Sequence, residues 1–266
     1  MTSLRFHQIY PHQKMPVLAK DFQVVAPKRA ELFCHPFKEA KNAGCYFFSP
    51  IDFEFKLSEQ QLQLRVKKDD GNFKLWDISI TDESSNNNFI LLSDISEQKS
   101  NACLSQYRQR IAKEKVPDFI NVDSFGFYEV MVNVFLEKDS QQVFLQIWLG
   151  GVLETEQSES IFIKHPSNVL SDSGFICLDG IIDSSKWKGW MAVVIKPTDK
   201  ECWVKVSSEQ PLCQIIGIPT PISSLETFSA ENVETDIFMK PIQWHLFDET
   251  YNRKPGKYQR ELLEKR

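Results

Sequence analysis

The residues of this chain that could do chemistry fall into three short stretches. GIIDSSKWKG at 180–189 carries a carboxylate, Asp183, close to the ammonium of Lys186 and the ring of Trp187. IKHPSN at 163–168 offers Lys164, His165, Ser167 and Asn168. PLCQIIGIP at 211–219 places the amide of Gln214 in an otherwise apolar run. Asp183 reads first as a turn residue whose side chain bonds nearby backbone N–H groups, and second as part of a polar site. Trp187 and Trp190 read first as core or interface rings, and second as a stacking surface for a ligand. The histidines at 7, 12, 35, 165 and 245 are dispersed, without HxH or HxxxH spacing, so folding alone would have to assemble a metal site. No GxSxG, phosphate-binding loop or GxGxxG is present. No complete catalytic set for a recognisable enzyme class emerges.

Composition narrows the classes further. The chain has 266 residues, long for one domain but ordinary for a β-rich one, and long enough to bury a core without staples. Twenty phenylalanines are those of a globular protein. The net charge is −5, and Lys and Arg are scattered, so no footprint for nucleic acid is seen. None of the six cysteines is spaced as CxxC. Cys177, Cys202 and Cys213 sit among apolar residues and are expected to be buried reduced thiols in strands, which points to a reducing, cytoplasmic setting. The N-terminus lacks the continuous apolar run of a signal peptide, and no stretch approaches the ~18 apolar residues of a membrane span.

The elements that would position these residues are mostly strands. A first strand is expected over 4–10, followed by an irregular stretch to 42, broken by Pro16, Pro27 and Pro36, with a short helix near Lys28–Phe33. IDFEFKL (51–57) and LQLRVK (62–67) alternate with period 2 about a SEQQ turn, which predicts a half-buried hairpin. FKLWDISI (73–80) reads as a strand, and 95–116 as a helix candidate with a thin apolar stripe. FGFYEVMVNVFLE (125–137) and QQVFLQIWLGGVLE (141–154) predict a long hairpin. Short strands then follow at 160–166, 174–183, 189–197, 201–207 and 211–219, a spacing that argues for a sandwich or barrel. Residues 220–242 read as an extended loop. The tail YNRKPGKYQRELLEKR carries a short charged helix, packed on the surface or on a neighbour.

Four stretches, in order, resemble the motifs of the trimeric dUTPase family: AGCYFFSP (43–50), HPSNVL (165–170), GIIDSSKWKG (180–189) and EQPLCQIIGIP (209–219). The spacings from the second to the fourth agree, while the first gap is far too long. The layout also resembles a bacterial family of about this length whose function is unknown. The resemblance implies a mostly β, β-clip (dUTPase-like) distorted barrel or sandwich in a single domain, 1–266. Its core would be 43–66 and 122–219, with an insertion at 67–121 and a C-terminal extension at 220–266. It also implies a homotrimer with sites between subunits.

Carried over residue by residue, Asp183 stands at the aspartate that orients water and contacts the sugar. Trp187 is nearest the ring that stacks on deoxyribose, and Gln214 matches the glutamine that helps hold phosphate and water. Ser167 survives from the serine–glycine pair, in which Asn168 replaces glycine. The phosphate-pairing arginine is replaced by His165 or Pro166, the metal-supporting aspartate by Tyr46, and the Gly-rich C-terminal motif is absent. The expectation is a degenerate, non-catalytic scaffold that binds a protein partner or small ligand, with neither nucleic acid nor membrane as partner and no cofactor. The alternative is a deoxynucleoside triphosphate pyrophosphatase-like hydrolase. It would use Asp183, Trp187 and Gln214, with Lys164 and Lys186 as the local cations and Mg²⁺ as cofactor. A further alternative is a structural subunit of a larger assembly such as a phage particle.

Overall fold

The computed structural model describes residues 4–8, 10, 13–23, 26–59, 61–79, 88–96, 130–137, 142–155, 159–169, 173–183 and 189–219. In chain order the elements are β1 (Leu4–Gln8), β2 (Val17–Leu18), a 3-10 turn (Ala19–Asp21), α1 (Lys28–Phe33), α2 (His35–Asn42), β3 (Cys45–Phe48), β4 (Phe53–Leu57), β5 (Gln61–Lys67), β6 (Phe73–Ser79) and β7 (Asn88–Leu92). Then come β8 (Val130–Glu137), β9 (Gln142–Thr155), β10 (Glu159–Lys164), β11 (Phe175–Cys177), β12 (Gly180–Ile182), β13 (Gly189–Pro197), β14 (Val204–Val206) and β15 (Pro211–Pro219). The protein is therefore mostly β, as its alternating sequence predicts.

The strands form three antiparallel sheets. One runs β11-β13-β9-β8-β7, with β1 also paired to β9; the second runs β12-β10-β15-β3-β2; the third runs β14-β4-β5-β6. The expected hairpins are observed. β4 and β5 pair from Leu57↔Leu62 to Glu54↔Arg65, and their burial alternates strictly. Ser58 closes the turn, its Oγ accepting the Gln61 N–H at 3.0 Å. Phe53, Phe55, Leu62, Leu64 and Val66 all point inward, each burial stabilising by roughly 1.5–3 kcal/mol. β8 and β9 pair from Glu137↔Gln142 to Val132↔Ile147. The long β9 bends at Gly150, whose φ of +71° is a conformation that glycine adopts without strain. Its carbonyl accepts the Tyr10 N–H at 2.9 Å, and β1 pairs with the half of β9 beyond it.

One core draws on all three sheets and includes Phe47, Phe55, Leu64, Val132, Ile147, Val193 and Ile215. A smaller cluster of Ala19, Tyr46 and Phe48 lies on the other face of β3, packed by Val17 and Phe22.

Several expectations need correction. α2 falls in a stretch read as irregular. Pro36, expected as a breaker, sits in the first turn of the helix, where its missing N–H has no intrahelical acceptor to lose. Residues 174–183 make two strands, β11 and β12, on different sheets. Cys177 and Cys213 are buried, but Cys202 is exposed, in the bend that precedes β14. β6 forms where a strand is expected and pairs with β5, and β7 pairs with β8. The helix candidate at 95–116 lies outside the described residues beyond Ser96, as does the C-terminal tail. No helix among the described residues is long and apolar enough to cross a membrane.

Candidate functional site

Gln214 lies in the middle of the second sheet, opposite Lys164 on β10 and Tyr46 on β3. It is fully buried. A buried primary amide needs partners for two donors and an acceptor, and all are supplied from within the chain. Its Nε2 donates to the carbonyls of Ala40 (3.0 Å) and Ala43 (2.6 Å). Its Oε1 accepts the backbone N–H of Ser167 at 2.9 Å.

The carbonyls are those of the α2 C-terminus, which an isolated helix leaves without partners. Tyr46 continues the same arrangement, its hydroxyl donating to the Lys41 carbonyl at 2.9 Å. Burial pushes that phenol up to about 12, so it stays a donor. No residue of α2 is itself fully buried. Hydrogen bonds from the sheet, rather than an apolar face, hold this helix in place.

The turn after β10 closes the clamp from the other side. Asn168 has φ +59°, a left-handed conformation that asparagine tolerates better than most residues, at the position where the resemblance puts glycine. Its Nδ2 donates to the Phe37 carbonyl at 3.2 Å. The Lys164 ammonium donates to Ser167 Oγ, so the hydroxyl too has an internal partner.

His165 joins this turn to the crossover between β11 and β12. Its Nδ1 accepts the Cys177 N–H at 3.1 Å, which leaves the ring proton on Nε2. Its own backbone N–H donates to Asp179 Oδ1 at 3.3 Å. Burial, reinforced by Lys164, lowers the imidazole pKa against a smaller upward pull from Asp179. Burial, with Asp179 beside it, pushes the Cys177 thiol up to about 12, so this sulfur is an inert core group. A narrow cleft between His165, Phe175, Lys205 and Gln210 has room for little more than one water molecule.

The structure brings Ser167, Asn168 and Gln214 together and leaves Asp183 apart. Gln214 aligns with Lys164, whereas Ile182 aligns with Ile161 on the same strand. Asp183, one residue further on, is half-buried and lies roughly 13 Å down the ladder from Lys164, at about 3.3 Å per residue. Lys186 and Trp187 lie outside the described residues.

Sequence reasoning did not anticipate the partners of Gln214, the role of Tyr46, or His165 as an acceptor. The available signal was chemical: a tyrosine and a glutamine at inward strand positions each need a polar partner.

Tyr46 also decides the fit of a metal. Mg²⁺ takes oxygen ligands, usually one or two carboxylates, and the position for which the resemblance implies a metal-supporting carboxylate holds a phenol bonded to a helix carbonyl. Among the described residues, no group of three His, Cys, Asp or Glu side chains could hold a metal ion. The residues present do not fit Mg²⁺ at this position.

No family model and no curated protein matches the chain. Among solved structures, a mutant dUTPase from phage phi11 of S. aureus, described for its coordination of a structural Mg(II) ion, aligns with 90% of this chain and 99% of its own. The identity is 9% and the TM-score 0.36. The fold class stated above rests on the chain's own three sheets.

Proposed function

We propose that this protein is a non-catalytic scaffold of dUTPase-like design that binds a protein partner or a small ligand, rather than a nucleotide hydrolase. One observation carries the reading: the polar groups of the phosphate-turn motif are engaged inside the chain. Both Nε2 protons of Gln214 go to the Ala40 and Ala43 carbonyls, the Ser167 N–H goes to Gln214, and Lys164 bonds the Ser167 hydroxyl. A triphosphate needs donors and cations aimed at its oxygens. The Gln214 donors instead pin α2 to the sheet, and those of Ser167 and Lys164 close the turn onto Gln214 and onto itself.

The separation of Asp183 from this turn supports the same reading for a single protomer. A homotrimer, which the resemblance implies, would be needed to bring an aspartate of one subunit to the turn of another.

The test is a thermal-shift screen of the pure protein against ribo- and deoxynucleotides, with and without Mg²⁺. It is run beside a hydrolysis assay and a molar-mass measurement. The expected result is no stabilisation and no hydrolysis, since a ligand that binds only the folded state must raise its apparent stability. Stabilisation by one nucleotide class, with hydrolysis lost in Asp183→Ala, would overturn the proposal in favour of an enzyme.

A further inference from the structure

We draw no further inference here: the strongest candidate, the apolar patch of Phe73 (58% exposed) and Leu75 (49% exposed) on the third sheet, where Arg65 stacks on the Phe73 and Trp203 rings, carries none because nothing among the described residues shows what covers it.

Discussion

The amide oxygen of Gln214 accepts the backbone N–H of Ser167 at 2.9 Å, linking β15 to the turn that follows β10. The same side chain reaches in the opposite direction to the last carbonyls of α2. A glutamine whose motif suggests ligand chemistry is, in the folded chain, a three-way structural fastener.

Its removal should therefore be costly to stability. Gln214→Ala strands three polar groups, at Ser167, Ala40 and Ala43, and each stranded buried group costs about 1–3 kcal/mol, less where water enters. A loss of about 3 kcal/mol in urea unfolding is expected. Gln214→Glu should be worse at neutral pH, because a carboxylate cannot donate to two carbonyls. A change under about 1 kcal/mol in both variants would show that the fastener contributes little.

Gly44 and Gly71 make a matched pair. Both have positive φ, +66° and +88°, so alanine is conformationally disfavoured at each by roughly 1–2 kcal/mol. At Gly71 a Cβ meets nothing within 4 Å, but at Gly44 it would lie 2.0 Å from the Ile215 carbonyl oxygen. Gly44→Ala should force β3 away from β15 and abolish soluble expression or cost more than about 4 kcal/mol. Gly71→Ala should lower stability by only about 1 kcal/mol. Similar melting temperatures for the two would contradict this packing.

His165 should impose an acid limit. Burial, aided by Lys164, depresses its folded-state pKa, so folding favours the neutral ring. The resulting stability is present above the unfolded value of about 6.5 and is lost as pH falls through the lower folded value. Protonation also removes the acceptor for the Cys177 N–H. Stability measured between pH 7 and pH 5 should fall in the wild type and stay flatter in His165→Asn, whose amide oxygen can replace Nδ1 without titrating. Superimposable pH profiles would rule out this role.

The division between what was legible in the chain and what was not follows the range of the interactions. Local alternation identified β4, β5 and the β8–β9 hairpin, because a strand with one buried face repeats every two residues and its partner is the next segment. Two of the stretches that resemble dUTPase motifs contain Ser167, Asn168 and Gln214, three residues the fold does bring together. α2 was obscured by Pro36, since the same residue breaks a helix interior and suits a first turn. The division of 174–183 between two sheets depends on which distant strand each half meets, Ile195 and its neighbours for β11 and Ile161 and its neighbours for β12. The partners of Gln214 lie 174, 171 and 47 positions away in the chain. Sequence alone determined that an amide stands at that position in an apolar strand; only the packing of α2 and the Ser167 turn against the sheet decided that its hydrogen bonds point inward, because a side chain's chemistry is local while its partners are set by the fold.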